Sequence, residues 1–445
     1  MKKQQLLQNP SSWVLGCCLI AGVFYFLAPG WETLFEENST IWQWRRQIIL
    51  LTGLICWTLM TLCMVIALRP RWIEKWTHGL DKAYHIHKWA GIAAFTVLAT
   101  HWLLHDGMRW LVSWGMLDAP LRPATQGSAT PLWQTLGKDT GLWALYLFVV
   151  AVGIAVLHKI PYKFFQKSHL LFPIIYIIGA YHSIVMMPSS WWQSPSAYYV
   201  VLISAAGVYA AIASLSRTVG KSRQFKGIVE QVQQKMPGLF HLQIQLKENR
   251  SFAHQPGQFA FINFGHHEGH HPFTIAGANT QKLDFVIKSL GDFTQKFEKA
   301  VTSGQQVTVE GPYGCFDFQS PQPSQVWVAG GIGITPFLAR LEHLARTPHT
   351  NQSIHFWYCV QTEQESLFPE NLDQLCEAAN VSLHRMVAAH QQVLTPEIIA
   401  QHMHSLNHCS VWFCGPAGFA QSLRHGLQKY GLAQQDFHAE RFNMR

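Results

Sequence analysis

The chain has 445 residues, 49% of them hydrophobic and 13% charged, with a formal net charge of +8 and a mean hydropathy of +0.06. That length holds two or three domains, and the near-zero hydropathy averages a very apolar N-terminal half with an ordinary soluble half. The positive balance argues for no nucleic-acid partner, because the basic residues gather in short loops between apolar runs. The nine cysteines show no CxxC pair and no extracellular framework, so disulfides need play no part.

In chain order, Lys2 and Lys3 precede an apolar run over 13–28. It competes with a signal peptide, and Leu15-Gly16-Cys17 with a lipobox. The apolar stretch before Cys17 is too short for that, and more spans follow, so it is taken as a first span. Further runs cover 47–68, 84–106, 141–157, 168–187 and 198–215. A bilayer crossing takes about 20 residues at ~1.5 Å each, and the 18 tryptophans fit interfacial belts. Lys and Arg number 14 in the N-terminus, 69–88, 158–168 and 216–226, against 5 in 29–46, 107–138 and 188–196. That imbalance predicts six spans with both termini cytoplasmic.

Two of the runs carry spaced histidines: His87 and His101, fourteen residues apart, and His169 and His182, thirteen apart. Fourteen residues fall about 40° short of whole turns, so the first pair shares a face; thirteen leave about 140°. Pro173 interrupts the second helix between its histidines, and a local change of twist there brings them together. Ionisable groups at membrane depth are costly and usually functional. Two neutral imidazoles on each of two helices suit axial ligation of two stacked haems; the alternative is histidines satisfied against helix carbonyls. In the predicted topology His87 and His169 sit at the cytoplasmic depth, His101 and His182 at the outer depth. No CxxCH occurs, so the haems are expected to be b-type, without covalent attachment.

The 14 and 13 spacing resembles the ferric reductase and NADPH oxidase family of transmembrane bis-haem flavocytochromes. His85 is turned away from the His87 face. The resemblance puts a non-ligating His105 beside the outer haem, where the acceptor meets electrons. Of Arg45 and Arg46 at the start of the second span, it suggests Arg46 as a propionate or acceptor-site residue; the plain alternative is an interfacial anchor.

After Arg217 the composition changes. Lys221, Arg223 and Lys226 form a basic hinge, and the alternating runs FKGIVEQV, LFHLQIQLK and QFAFINF, separated by Pro237-Gly238 and Pro256-Gly257, predict a small antiparallel barrel. The next loop contains His267-Glu268-x-x-His271, formally a zinc-protease pattern. Gly269 and Pro272 oppose the helix that mechanism needs. His271-Pro272-Phe273-Thr274 instead resembles the flavin motif of the ferredoxin reductase superfamily, whose aromatic packs on the flavin and whose hydroxyl approaches N5. Lys288, Gly291, Phe293 and Thr294 resemble the pyrophosphate loop, and Gly311-Pro312-Tyr313-Gly314 the turn closing the flavin barrel.

A Pro/Gln/Ser linker at 319–325 leads into QVWVAGGIGITPFLARLEHLAR. Gly330, Gly331 and Gly333 permit close approach of a pyrophosphate, and Thr335-Pro336 opens the helix that faces it. The strands SIHFWYCVQ, VSLHRMVA and VWFCGPAGF follow, and Cys414-Gly415-Pro416 resembles the family turn beside the nicotinamide. Gln361 stands where many relatives carry an Arg for the 2′-phosphate of NADPH, which puts a preference for NADPH over NADH in doubt. At the C-terminus, Phe442 is the candidate ring that stacks on the flavin; the alternative is an apolar anchor for the last strand.

The expected architecture is a membrane all-α six-helix bundle (1–218), a cytosolic β-barrel FAD domain (219–320) and an α/β NAD(P)-binding domain (321–445). The resemblance implies electron transfer from NADPH or NADH through FAD and two b-type haems to an external acceptor. FAD is needed because hydride chemistry is two-electron and haem iron changes by one. Thr274, Cys414 and Phe442 are the expected catalytic residues. Reduction of a ferric chelate is favoured, with O₂ reduction to superoxide as the alternative; the non-enzymatic rival is a haem-free membrane protein bearing a degenerate reductase fold. The outer acids Glu32, Glu36, Glu37, Asp106, Asp118 and Asp139 do not form an oxygen cage for bare Fe(III).

Overall fold

The computed structural model describes residues 7–120, 131–157, 162–248, 250–265, 269–291, 293–347, 352–365, 371–403 and 405–440. The chain divides into two compact units, one formed by Lys2–Thr77 and Lys82–Val219, the other by Gly220–Arg445 with His78–Asp81.

The first unit is helical. Its labelled helices are α1 (Pro10–Phe26), α2 (Ile41–Ala67), α3 (Arg71–Thr77), α4 (Leu80–Trp102), α5 (Leu132–Val156), α6 (Tyr162–His169), α7 (Leu171–Val185) and α8 (Pro195–Leu215). Local chemistry sets their starts. Asn9 accepts from the Ser11 N–H with Pro10 opening α1, and Thr40 and Gln43 form a capping box at α2. Four stretches are long and apolar enough to cross a membrane: α2, α5, Phe164–Val185 and α8. Helix α1 is shorter at 17 residues, and α4 is less apolar because it carries His85, His87, Lys88 and His101. The run expected at 168–187 is two helices meeting at Leu170. Pro173 has no N–H to return to the His169 carbonyl, so the ladder breaks there.

Helices α2, α7 and α8 are locked by a buried polar cluster. Trp57 stacks on Tyr176 with ring centroids 4.3 Å apart and donates to Ser204 Oγ at 2.8 Å. The Tyr176 hydroxyl meets Thr61 Oγ1 at 2.6 Å. Satisfied hydrogen bonds of this kind, rather than apolar burial alone, hold helices together where the surroundings are as apolar as the helices.

The second unit contains two sheets. The antiparallel one has the order β4-β3-β6-β1-β2-β5, formed by β1 (Gln224–Met236), β2 (Leu239–Leu246), β3 (Phe259–Asn263), β4 (His271–Thr274), β5 (Lys282–Lys288) and β6 (Gln306–Tyr313). Just beyond β4, Ile275 bridges to Phe285 of β5, so the two edge strands meet. The second sheet is parallel, in the order β11-β10-β7-β8-β9: β7 (Ser324–Gly330), β8 (Ser353–Val360), β9 (Val381–Val387), β10 (Cys409–Cys414) and β11 (Phe437–Ala439). Helices α9 (Thr335–Arg346) and α10 (Ala417–Lys429) pack on it. Strand β7 already begins at Ser324, inside the stretch expected to be linker. One apolar cluster joins the two sheets, with Leu239, Ala276 and Val286 packed among Phe316, Trp327 and Phe337.

Candidate functional site

Of the four spaced histidines of the helical unit, one pair is in ring contact and the other two lie near one another. His87 and His169 have ring centroids 6.0 Å apart at an interplanar angle of 51°. His101 and His182 lie within electrostatic reach of each other and of His105. Three of the imidazoles make the same contact through Nδ1 with a backbone carbonyl: His87 with Cys63 at 3.1 Å, His101 with Ile49 at 3.0 Å, and His182 with Gly137 at 2.8 Å. His169 Nδ1 is buried without such a bond and packs against Phe165 and Phe172 instead. A Cβ on Gly53 would stand 3.2 Å from His101 Cε1, and one on Gly141 would collide with the His182 ring. These carbonyls and glycines carry no sequence signal by themselves. Only the folded pairing assigns them to an imidazole.

Beyond His101 the chain widens into a π turn, Leu103–Gly107, a feature that recurs at functional sites. Arg45 holds it, donating to the Leu104 and His105 carbonyls at 2.7 and 2.8 Å. Arg45 is therefore engaged, whereas Arg46 is exposed. His105 is half exposed beside Asp106 at 3.2 Å, which also meets Arg109 at 3.5 Å. Sequence reasoning named Arg46 and His105; it missed the part that Arg45 plays.

In the second unit His271 stands on strand β4, with its ring stacked on Phe293 at 4.0 Å and 8°. An extended strand does not set up the helical HExxH geometry; His267 and Glu268 lie outside the described residues. Among the described residues no three His, Cys, Asp or Glu side chains group as a metal site. Pro272 and Phe273 continue β4 and Thr274 is buried. After Lys288, which ends β5, the Thr294 hydroxyl accepts from the Leu290 and Gly291 N–H groups at 3.0 and 2.9 Å. It thereby fixes the loop's shape while using two of its donors. Tyr313 donates to the buried Glu310 carboxylate at 2.6 Å, and Arg223 lies over the Tyr313 ring at 4.6 Å.

The fold brings the glycine triplet and the Cys414-Gly415-Pro416 turn into contact. A Cβ on Gly330 would lie 2.8 Å from Pro416 Cδ, one on Gly415 would lie 3.1 Å from Gly330 Cα, and one on Gly333 would strike the Cys414 backbone. Gly331, at φ +55°, faces open space, and Gly291 does too. Thr335 and Pro336 start α9 and are buried. Cys414 is fully buried; burial first, and then the Glu440 carboxylate, push its thiol well above the ordinary value. It therefore remains a neutral thiol at pH 7. Gly314, at φ +103°, would place a Cβ 3.3 Å from Glu440 Oε1, so the turn ending at Gly314 and the turn at Cys414 converge on Glu440. Gln361 is exposed just past β8, its carbonyl accepting from Ala389 at 2.9 Å. Phe442 lies outside the described residues.

Residues 52–180 match the family described as ferric reductase like transmembrane component, 228–317 an FAD-binding domain, and 327–425 an oxidoreductase NAD-binding domain. Among curated proteins, the reductase component of propane 2-monooxygenase from Rhodococcus jostii is 22% identical over 44% of this chain and 57% of its own length. The carnitine monooxygenase reductase subunit of Escherichia coli is 27% identical over 32% of this chain and 42% of its own. The chain thus spans about half the length of such relatives, 57% and 42% in these two. Among solved structures, a Malassezia yamatoensis flavohemoglobin aligns with a TM-score of 0.45 at 17% identity, over 75% of this chain and 92% of that one. The cytochrome b5 reductase domain of Ulva prolifera nitrate reductase aligns at 0.43 and 18%, over 49% and 98%. A transmembrane component, an FAD-binding domain and an NAD-binding domain follow one another in a chain with four membrane-length apolar helices, and this integral membrane protein therefore belongs to the ferric reductase/NADPH oxidase type of oxidoreductases.

Proposed function

We propose that the chain carries electrons from cytosolic NAD(P)H, through FAD and two b-type haems, to an acceptor on the opposite side of the membrane, with ferric chelates as the favoured class. The observation that carries this reading is the set of Nδ1–carbonyl bonds at His87, His101 and His182. A metal-bound histidine usually spends its second nitrogen this way, which fixes its tautomer and leaves Nε2 for the metal. The His87–His169 separation of 6.0 Å supports it: the two rings are near enough that both would hold the same ion, and neutral imidazoles are ordinary haem-iron ligands. Gly53 and Gly141 leave room for the rings of the second pair. In this reading His87 and His169 hold the cytoplasmic haem and His101 and His182 the outer one, within six spans and with both termini cytoplasmic.

FAD, when bound, supplies the conversion of a two-electron hydride into single electrons that haem iron can carry. The protein's part is to position it. The domains are read as 1–218 for haem, 219–320 as an FAD barrel and 321–445 for NAD(P)H. His271, Pro272, Phe273 and Thr274 line the flavin, and Lys288, Gly291, Phe293, Thr294 and Gly311 receive its phosphates and close the barrel. Gly330, Gly331, Gly333, Thr335 and Pro336 receive the nucleotide, with the open space at Gly331 supporting a pyrophosphate there. Cys414, Gly415, Pro416 and Glu440 border the nicotinamide, Cys414 as a neutral contact, and Phe442 covers the flavin until nicotinamide displaces it. On the outer side Arg46 and His105 offer charge and a proton to an anionic chelate or to O₂.

The test is haem content and visible spectra of the four single His→Ala variants, with turnover on NADH or NADPH against ferric chelates and oxygen. His101→Ala and His182→Ala are expected to lose only the outer haem. Full, equal haem content in all four variants would overturn the assignment. Arg46→Gln and His105→Ala are expected to slow anionic acceptors while both haems stay bound. If one acceptor alone supported turnover, and Glu36→Gln with Glu37→Gln abolished it, a specific metal site would replace the exposed-edge reading.

A further inference from the structure

Helix α3 follows only four residues after α2 ends at Ala67, through Leu68, Arg69, Pro70 and the turn they make. Arg69 adopts φ +53°, so the chain turns sharply at this point. The helix has two faces. Ile73 and Thr77 are buried at 2% and 0%, with Glu74 beside them. The other face presents Trp72 and Trp76, exposed at 46% and 52%, with rings 4.9 Å apart in an edge contact. Arg71 and Lys75 flank them and are exposed as well.

Two exposed tryptophans one helical turn apart would be a liability in water. At the end of a membrane-length helix they have a ready environment, since indole rings favour the headgroup region and cations alongside them meet lipid phosphate. The charge on this face is of one sign: its only acid, Glu74, is turned to the buried side. We infer that α3 lies in the membrane surface at the end of α2 and binds acidic phospholipid headgroups, with Trp72 and Trp76 inserted among the acyl-chain tops and Arg71 and Lys75 on the phosphates. The leaflet is the cytoplasmic one in the topology proposed above; contact with lipid does not depend on which leaflet it is. Each such cation near an anionic surface contributes about 1 kcal/mol, or about fivefold in affinity.

The full chain, reconstituted in phosphatidylcholine bilayers, is probed with spin-labelled phosphatidylglycerol and spin-labelled phosphatidylcholine, and their relative association is read from the motionally restricted lipid fraction. The wild type is expected to favour phosphatidylglycerol. Arg71→Gln with Lys75→Gln should reduce that preference severalfold, and high salt should reproduce the loss. Trp72→Ala with Trp76→Ala should weaken retention of both lipids, whereas the Phe pair at the same positions should restore it. Flavin content verifies that each variant is folded. Unchanged selectivity in the Arg71/Lys75 variant would overturn the inference. So would displacement of the labelled lipid by millimolar inorganic phosphate alone, which would reveal a phosphate site that does not need the bilayer. Because the readout is lipid association, failure here leaves the electron-transfer reading untouched, and loss of haem leaves this one untouched.

Discussion

Gly141→Ala is the smallest change that separates an imidazole held for ligation from one merely packed in a helix bundle. In an exposed helix the substitution stabilises by about 1 kcal/mol, because alanine loses less backbone entropy than glycine. Here the new methyl would overlap the His182 ring, whose Nδ1 is bonded 2.8 Å from the Gly137 carbonyl one turn earlier. Overpacking costs about 1–3 kcal/mol, and a lost hydrogen bond costs about 1 more. Set against the propensity gain, about 1–3 kcal/mol remains to displace the ring, equivalent to roughly 5- to 150-fold weaker retention of the outer haem. Gly53→Ala supplies the control. Its Cβ would stand 3.2 Å from His101 Cε1, a contact relieved by a shift of a few tenths of an ångström, so the helix-propensity gain should nearly cancel its cost. The assay is the haem-to-flavin ratio of the purified variants with a redox titration of the Soret band. Gly141→Ala is expected to lose the outer haem or shift its potential, with the His87–His169 pair unaffected and Gly53→Ala close to wild type. Full haem content with unshifted potentials in Gly141→Ala, or a larger defect in Gly53→Ala, would refute the reasoning.

Three further outcomes are expected. Gln361→Arg should move preference towards NADPH, starting from a wild type that uses NADH at least comparably; a hundredfold wild-type preference for NADPH in kcat/KM, roughly 2.7 kcal/mol, would show that other residues grip the 2′-phosphate. Gly333→Ala places a methyl on the Cys414 backbone, which cannot rotate away, so the variant should lose about 3 kcal/mol or more, seen as a lower unfolding temperature and loss of NADH-dependent flavin reduction. His355 and His384 face each other at 3.2 Å between Nδ1 and Nε2, and burial first, then neighbouring histidines, lower both pKa values. Protons therefore bind the unfolded chain first as pH falls below about 6.5. Stability from this pair is complete above that value and lost on acidification, and His355→Gln with His384→Gln should flatten the slope of unfolding temperature between pH 7.5 and 5.5.

The sequence was most legible where a repeat of period 2 or 3.6 coincided with punctuation. The runs FKGIVEQV, LFHLQIQLK and QFAFINF fall in β1, β2 and β3, since alternation and the intervening Pro-Gly pairs specify strand and turn together. Pro173 foretold the break that falls at Leu170. Elsewhere the pattern ran out for physical reasons. The Arg45 bonds to the π turn span 59 and 60 residues, and no local periodicity carries a contact of that separation. The choice between Arg45 and Arg46 likewise depends on which face of α2 meets the turn. The donors of the 288–294 loop look free in sequence, yet Thr294 takes two of them.

The same device appears separately in each unit. At His182 and at the nucleotide turn, the feature that brings chemistry-bearing groups together is a missing Cβ: Gly141 gives way to an imidazole, and Gly333 to the Cys414 backbone. The two contacts differ in what can yield. An imidazole rotates about two side-chain bonds, so crowding it costs ligation before it costs the fold. A backbone carbonyl in a central strand of a parallel sheet cannot move without breaking its ladder to β7, where Cys414 pairs with Ala329. Substitution at Gly141 should therefore leave a folded protein with altered haem, and substitution at Gly333 a damaged reductase unit. Opposite behaviour, with an intact reductase unit in Gly333→Ala and unfolding in Gly141→Ala, would mean that the rigid and the yielding partner have been interchanged.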